Sequence, residues 1–208
     1  MSTAAIIDSA LYDTAGERLP LADAELFWYP HFISRQHGET LMQALLEETP
    51  WRQDELRIHG RVIQVPRLQA WYGDAGARYG YSGLTLEPLP FTPRLTALRE
   101  QLQDTLGLHF NAVLLNYYRN GSDSVSWHSD DEPELGPEPL IASMSLGEER
   151  RFELKHRTRT DLGKFALPLT GCSLLVMGKG VQKHWKHQIP KQPGISGARL
   201  NLTFRLIA

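Results

Sequence analysis

RLNLTFRLI, at residues 199–207, alternates strictly between polar and apolar side chains. Successive side chains of a β-strand point to opposite faces, so Arg199, Asn201, Thr203 and Arg205 share one face of this predicted strand. That face either lies in water or lines the inside of a double sheet. On an inner face the two arginines would need an anionic partner such as a dicarboxylate ligand, because an unpaired buried charge is costly and a guanidinium fork suits carboxylates.

Short β-rich stretches separated by turn signals precede this strand, and two predicted helices precede the stretches. Ser34 is the predicted N-cap of a helix over 35–49, and Thr92 and Pro93 begin the second helix. Together these elements predict an α+β fold, with a jelly-roll (double-stranded β-helix) core over 109–207 backed by N-terminal helices. The stretches predicted as strands are HFNAVLLNYY, LIASMSLG, RFELKHR, KFALPL and SLLVMG.

The length and composition predict a single globular domain over 1–208, since 41% of the residues are hydrophobic and 22% are charged. Residues 1–25 are expected to form a loosely ordered leader without the pattern of a signal peptide. No apolar run approaches the roughly 20 residues that a membrane span needs. Cys172 is the single cysteine and cannot form an internal disulfide, so a reducing cytoplasm is expected.

Charge is distributed unevenly along the chain. Residues 150–208 carry twelve of the 22 Lys and Arg residues but two of the 24 Asp and Glu residues. This asymmetry indicates a surface that contacts a polyanion, or else a basic face that is solvated or packed on the acidic half.

WHSDDE, at residues 127–132, places three carboxylates beside one histidine. If the chain is extended there, His128 and Asp130 point to the same side and can bind one divalent metal ion. The H-x-D pattern is a weak signal by itself and needs a third ligand from elsewhere in the sequence. His184 and His187 are the best source, and their odd separation places only one of them inward, but spacing does not choose between them.

HSD at 128–130, a later histidine in HWKHQIP and RLNLTFR together resemble the AlkB family of iron(II)- and 2-oxoglutarate-dependent dioxygenases. The resemblance covers roughly residues 30–207 and is strongest to the members that repair alkylated DNA and RNA in eukaryotic nuclei. It also includes the stretches NYYRNGSDSVSWHSDDE, PLIASMSLG and VPRLQAWYGDAGARYGYSGLTL.

The resemblance implies a role for each matching position. The iron ligands are His128, Asp130 and His187, the last because the family's ligand is the histidine that follows W-x. Arg199 binds the distal carboxylate of 2-oxoglutarate, and Arg205 belongs to both the catalytic and the cosubstrate set. The other implied cosubstrate contacts are Asn116, Tyr118, Asn201 and Thr203. Residues 51–91 form a nucleotide-recognition lid, and the implied substrate contacts are His59, Arg67, Tyr79, Tyr81, Ser82, Asp131 and Glu132.

The activity implied by the resemblance is oxidative demethylation of N-alkylated bases in DNA and possibly RNA, with Fe(II) as metal and 2-oxoglutarate and O2 as cosubstrates. N1-methyladenine and N3-methylcytosine are cations, so Asp131 and Glu132 would favour them electrostatically; alternatively, these acids pair with a surface arginine or cap a turn. A monomer without a membrane partner is expected. The alternatives are a related dioxygenase that acts on protein side chains or small molecules, and a non-catalytic nucleic-acid binder.

RIHGRVIQVPR, at residues 57–67, predicts a hairpin, and it resembles the one that fills the gap left by a flipped base in duplex-repairing relatives. Those relatives place a large apolar or aromatic residue where His59 stands. A histidine fills the gap less well, so single-stranded substrates are expected to be favoured. The Gly-rich stretch YGDAGARYGYSGL is predicted to be a loop, with Tyr79 and Tyr81 as stacking residues. Phosphate contacts are expected from Lys155, His156, Arg157, Arg159, Lys179, Lys183 and Lys186.

Overall fold

Two antiparallel sheets of unequal size form the centre of the computed structural model. The structure describes residues 15–58, 61–77, 79–81 and 84–207, and of the strand residues 56–58, 61, 79–81 and 84–86 it describes the backbone alone. The strands are β1 (Glu17–Leu19), β2 (Leu26–Tyr29), β3 (Glu55–Ile58), β4 (Arg61–Gln64), β5 (Leu68–Gly73), β6 (Tyr79–Tyr81), β7 (Leu84–Leu86), β8 (Ala112–Tyr118), β9 (Val125–His128), β10 (Ile141–Gly147), β11 (Arg150–His156), β12 (Phe165–Leu169), β13 (Ser173–Met177), β14 (Trp185–Ile189) and β15 (Arg199–Arg205). The helices are α1 (Arg35–Glu48), α2 (Pro93–Leu106), a 3-10 turn (Pro133–Leu135) and the one-turn α3 (Val181–His184).

The sheets have the layered arrangement of a jelly roll, which confirms the predicted fold class. Within the described residues the large sheet has seven strands in the order β1-β2-β13-β10-β15-β8-β5. The small sheet has four strands in the order β12-β11-β14-β9. Two short hairpins, β3–β4 and β6–β7, lie outside both sheets. None of the described helices is long and apolar enough to cross a membrane.

The two long helices begin and end at residues that the sequence marks. The Ser34 side chain accepts a hydrogen bond from the His37 backbone N–H at the start of α1. The Thr92 side chain does the same for Leu95 at the start of α2, and Gly107 ends α2 in the left-handed conformation with a φ of 68°. The predicted helix boundaries are therefore confirmed to within one residue.

Apolar side chains pack in two main layers. The first lies between the helices and the large sheet and includes Leu45 of α1, Leu102 of α2 and Phe204 of β15, all fully buried. Burial of each such side chain stabilises the fold by about 1.5–3 kcal/mol. The second layer lies between the two sheets and includes Leu154 of β11 and Leu175 of β13. Because the first layer attaches the helices to one face of the large sheet, its other face is left to line the space between the sheets.

The structure corrects two of the predicted boundaries. Part of the leader predicted over 1–25 belongs to the fold: β1 pairs with β2, and Leu21 is buried in the second layer, so apolar packing fixes this segment. Residues 1–14 lie outside the described residues. The sheets extend beyond 109–207, because β2 and β5 belong to the large sheet.

The central region also differs in part from its prediction. The hairpin predicted over 57–67 is confirmed as β3–β4, although His59 and Gly60 at its tip lie outside the described residues. The loop predicted for YGDAGARYGYSGL contains a second hairpin, since Tyr79 pairs with Leu86 and Tyr81 with Leu84. Glycine is uncommon in strands, so this Gly-rich composition indicates a loop and the two short strands could not be predicted from it. The lid role of residues 51–91 stays a prediction.

Gly147, at the end of β10, has a φ of 82°, which L side chains rarely adopt. A methyl group there would also collide with the carbonyl oxygen of Ala198 and the sulfur of Met42 on α1. Gly107 has a similar φ of 68° but open space around it. We expect Gly107→Ala to lower the free energy of unfolding by about 1 kcal/mol and Gly147→Ala by roughly 3 kcal/mol or more.

Urea denaturation of both variants measures this difference. Both glycines have the left-handed backbone conformation, so both variants lose stability through backbone strain. The additional loss in Gly147→Ala measures the steric overlap. Equal losses of stability in the two variants would contradict the packing of α1 against the end of β10.

Candidate metal centre

Two histidines and one aspartate converge where the small sheet ends. His128 on β9 and His187 on β14 are direct partners across the two strands, and their ring centroids lie 4.2 Å apart. Asp130 follows β9, and its Oδ1 lies 3.7 Å from His128 Nε2. One ligand atom of each residue lies within 4.8 Å of the others, a spacing that can hold a metal ion. The convergence predicted from HSD and a later histidine is therefore found.

The segment that carries Asp130 is held in place by its neighbours around α3. The Ser129 hydroxyl donates a hydrogen bond to the Trp185 carbonyl oxygen at 2.9 Å. The Asp130 backbone N–H donates to the side-chain oxygen of Gln182 at 3.0 Å. Gln182 lies on α3, directly before the strand that carries His187. The one-turn helix therefore couples the two ligand-bearing segments to each other.

The structure distinguishes the two candidate histidines near the C-terminus. His187 is 4% exposed and faces the pocket between the sheets. His184 lies at the end of α3 and stacks on His156 at 5.9 Å, away from the triad. This agrees with the choice of His187 that the resemblance implies.

The charges of the site favour a metal-binding protonation state. Burial lowers the pKa of His187 to about 3, so the imidazole is neutral and has a lone pair to offer. Burial opposes the ionisation of Asp130, but Arg205 and the two histidines outweigh it and hold the pKa of this carboxyl well below its usual range. His128 Nδ1 lies 2.8 Å from the carbonyl oxygen of Ser126. Protonation of Nδ1 to donate to that oxygen leaves Nε2 free to bind a metal.

Arg199 and Arg205 reach the same pocket from β15 in the large sheet. The polar face of RLNLTFRLI therefore lies inside the double sheet, and of the two orientations open from the sequence, the inner one is correct. Arg205 Nη2 forms an ion pair with Asp130 Oδ2 at 3.1 Å. Arg199 is 1% exposed, and burial lowers its pKa to about 10, so it remains charged at neutral pH.

The partners of Arg199 do not balance its charge. Its Nη2 donates to the Ser145 hydroxyl at 2.9 Å, and its guanidinium lies 5.2 Å from the centroid of the Tyr118 ring. Its Nε and Nη1 have no hydrogen-bond partner among the described residues. A buried guanidinium with two free donors fits a carboxylate, which can accept both hydrogen bonds.

A second set of polar contacts lines the pocket beside Arg199. Asn201 donates to the Ser143 hydroxyl at 2.8 Å and accepts from Thr203 at 2.9 Å. Asn116 is the register partner of Asn201 on β8. The predicted cosubstrate contacts all line this pocket, namely Asn116, Tyr118, Arg199, Asn201, Thr203 and Arg205.

Two imidazoles, one carboxylate and a nearby unbalanced arginine thus share one buried pocket. Two histidines and one carboxylate form the facial triad of non-haem Fe(II) oxygenases, which leaves coordination positions open. The donor set fits Fe(II), and Arg199 fits a dicarboxylate.

Comparison with known proteins gives the same result. The family model of the 2OG-Fe(II) oxygenase superfamily matches residues 25–205. Alpha-ketoglutarate-dependent dioxygenase alkB homolog 3 of Homo sapiens is 37% identical over 196 residues, which cover 90% of this chain and 68% of the relative. DNA oxidative demethylase ALKBH2 of Homo sapiens is 38% identical over 188 residues, which cover 86% of this chain and 72% of the relative.

The chain belongs to the AlkB family. It is accordingly a dioxygenase that uses Fe(II), 2-oxoglutarate and O2. The solved structure of OsALKBH1 has the same fold, with a TM-score of 0.56 and 17% identity, and the match covers 91% of this chain and 100% of that one.

The predicted substrate contacts of this AlkB-family chain, unlike the predicted cosubstrate contacts, do not all line the metal pocket. Arg67 is buried in the metal pocket, where its Nε donates to Asn116 Oδ1 at 2.7 Å. Asp131 is half exposed and pairs with Arg157 at 2.7 Å, which is the surface ion pair that the sequence left open as an alternative. Glu132 directly precedes the 3-10 turn and is partly buried. Tyr79 and Tyr81 lie on β6 with side chains that are not described, and His59 and Ser82 lie outside the described residues.

Several residues of the AlkB-family site carry no signal that sequence reasoning could use. Gln182 and Gln69 are buried glutamines; Gln69 donates to Asn116 Oδ1 at 3.0 Å. Arg150 is 1% exposed and donates to the carbonyl oxygens of Asp123 and Pro190, both at 2.8 Å. Through these two hydrogen bonds Arg150 connects the turn before β9 to the segment after β14. Ser145 is the exception, because the alternation of LIASMSLG places it on one face with Ser143.

His187 and His184 provide a matched pair for testing the metal ligands. We expect His187→Ala to weaken Mn(II) binding by about a hundredfold or more, because a ligand is removed. His184→Ala should bind Mn(II) as the unaltered protein does, because its ring lies outside the pocket. Isothermal calorimetry without 2-oxoglutarate measures both affinities. Loss of binding in His184→Ala with retention in His187→Ala would reverse the assignment.

Arg199→Lys tests the proposed carboxylate partner while it keeps the positive charge. A lysine cannot form the two parallel hydrogen bonds of a guanidinium, so the KM for 2-oxoglutarate should rise about tenfold or more. The effect on kcat at saturating 2-oxoglutarate should be smaller. Arg151→Lys, at an exposed position on β11, is the control. An unchanged KM in Arg199→Lys would exclude this role.

Proposed function

We propose that this chain removes alkyl groups from N-alkylated bases, such as N1-methyladenine and N3-methylcytosine, in DNA or RNA. The observation that carries the proposal is the triad of His128, Asp130 and His187 beside the uncompensated Arg199, in a chain that is similar to a relative named as a DNA oxidative demethylase. The excess of basic residues over 150–208 gives further support, because nucleic acid is a polyanion.

When bound, Fe(II) with 2-oxoglutarate and O2 supplies the oxidant for this chemistry. One oxygen atom converts the N-methyl C–H bond to C–OH, and the other enters succinate as 2-oxoglutarate loses CO2. The hydroxymethyl group then leaves as formaldehyde: the C–N bond breaks, its electron pair returns to the ring nitrogen, and the hydroxyl proton passes to water, which leaves a neutral base. No side chain is needed as a nucleophile.

The residues of the chain bind and orient the reactants. His128, Asp130 and His187 hold the metal, and Arg199 holds the distal carboxylate of 2-oxoglutarate. Arg205 keeps Asp130 ionised and fixes its orientation through their ion pair. The remaining pocket walls are largely apolar and exclude water from the reacting centre; they include Leu114, Val125, Phe152, Leu169 and Ile189.

A cationic base would be distinguished from a neutral one by the acids after Asp130. Asp131 already pairs with Arg157, and both side chains are well exposed, so water screens this ion pair and its stabilising effect is small. A methylated base that enters the pocket can replace the guanidinium as the partner of Asp131. Asp131 and Glu132 are therefore proposed to favour cationic lesions.

A reducing compartment such as the cytoplasm is part of the proposal. Cys172 is the single cysteine in the sequence and is a free thiol at a partly buried position. Its reduced state suits a chain that holds Fe(II), which a reducing environment helps to maintain.

Formaldehyde release from methylated oligonucleotides tests the proposed function. Release should require Fe(II) and 2-oxoglutarate, each omitted in turn, and should disappear in Asp130→Ala. Unmethylated oligonucleotides are the control for substrate, and succinate formation reports uncoupled turnover. Succinate without formaldehyde from any methylated strand would favour a dioxygenase of proteins or small molecules instead.

His59 tests the expected preference for single strands. The unaltered enzyme should act on both strand forms and favour single-stranded substrate, because unstacking a base costs a few kcal/mol in a duplex and less in a single strand. A larger ring fills the gap left by the flipped base, so His59→Phe should shift the rate ratio toward duplex. The ratio is measured on matched single- and double-stranded methylated oligonucleotides. A ratio that neither His59→Phe nor His59→Ala alters would mean that His59 is only an exposed turn residue.

A further inference from the structure

An aromatic and basic patch lies on the outer face of the small sheet, behind the metal centre. Trp127 directly precedes the ligand His128 on β9, which is an edge strand of that sheet. Val125 and His128 line the pocket, whereas Trp127 does not and belongs to none of the buried core clusters. The indole is partly exposed. β9 therefore presents a ligand on one face and an aromatic ring on the other.

Lysines surround this ring. Lys155 Nζ lies 4.5 Å and Lys164 Nζ lies 5.5 Å from the centroid of Trp127. Lys155 on β11 is also the register partner of Lys186 on β14, and both alternate with buried residues that face inward. We call these four residues, Trp127, Lys155, Lys164 and Lys186, the Trp127 platform.

The platform lacks acidic partners. None of its three lysines forms an ion pair with an acid in the described part of the chain. Two ammonium groups that share one indole ring repel each other, and the cation–π attraction at such an exposed site is small. The arrangement is therefore suited to a ligand that adds negative charge close to an aromatic face.

We propose that the Trp127 platform binds the single-stranded nucleic acid that flanks the damaged base. Bases stack on the indole of Trp127, and the lysine ammonium groups leave the ring to bind phosphate oxygens. Single-strand binding surfaces combine aromatic stacking and phosphate contacts in this way. In the part of the chain that the structure describes, no further strand lies outside β9 in the sheet, so a nucleic-acid chain that leaves the pocket can pass over this edge to the outer face. The inference rests on the proposed function, which identifies the molecule that enters the pocket as nucleic acid.

Binding of a fluorescent oligothymidylate without methyl groups, measured by anisotropy without Fe(II) or 2-oxoglutarate, tests the platform apart from catalysis. Trp127→Leu should raise the Kd about tenfold, in the range expected for loss of one stacked base. Lys164→Gln should lower the slope of log K against log salt concentration by about 0.7. Arg94→Gln, on α2 at the far side of the large sheet, removes the same charge and should leave binding unchanged.

Lys155→Gln combined with Lys164→Gln is the second variant, because both side chains reach solvent and neither belongs to the core. A weakened Kd in this variant supports the platform even if Trp127→Leu fails to fold. Wild-type affinity in the folded variants would overturn it. Competition by polyglutamate equal to or stronger than that by unlabelled oligothymidylate would also overturn it, since the platform would then respond to negative charge alone and not to stacked bases.

Substrate length separates this inference from the proposed function. A methylated trinucleotide reaches only the pocket, whereas a longer methylated strand also reaches the platform. Trp127→Leu should reduce the ratio of the rates on the long and the short substrate. An unchanged ratio with normal formaldehyde release would reject the platform alone, and absence of formaldehyde from both substrates would reject the function.

Discussion

The ion pair between Asp130 and Arg205 joins the two sheets at the point where the chemistry takes place. Arg205 ends β15, an interior strand of the large sheet, and Asp130 follows β9, an edge strand of the small sheet. Both side chains are almost fully buried, so loss of either partner would leave an uncompensated charge in the interior. The pair also keeps Asp130 ionised and aims its other oxygen at His128. The relative position of the sheets and the geometry of the metal centre thus depend on the same contact.

Charge balance explains why the rest of the pocket is built for small ligands. Asp130 neutralises Arg205, but the Ser145 hydroxyl and the Tyr118 ring, which contact Arg199, carry no negative charge that would neutralise it. A divalent metal ion adds two positive charges, and 2-oxoglutarate adds two negative ones. Because these charges cancel, binding of both leaves the net charge of the pocket unchanged, whereas either one alone would shift it by two charges, and a carboxylate of 2-oxoglutarate is then placed against Arg199.

Periodic and capping signals could be read from the sequence, while isolated polar contacts could not. The alternation of RLNLTFRLI correctly placed Arg199 and Arg205 on one face, and Ser34 and Thr92 marked helix starts, because these patterns follow from backbone geometry. That this face is interior, and that His187 and not His184 is inward, depended on the resemblance. Gln182 and Arg150 were missed, since their partners are backbone groups distant in sequence.

One short strand, β9, has two uses. The inward His128 holds the metal, and the outward Trp127, one residue earlier, contacts Lys155 of β11 and Lys164, which directly precedes β12. The same pleat separates the dry pocket from the solvated outer face, so a basic surface can lie close to a buried metal without opening its site to water. The excess of basic residues after residue 150 follows from this arrangement, because the strands that complete the small sheet come from that part of the chain. A polyanion held on the outer face would thus lie one sheet thickness from the reacting centre.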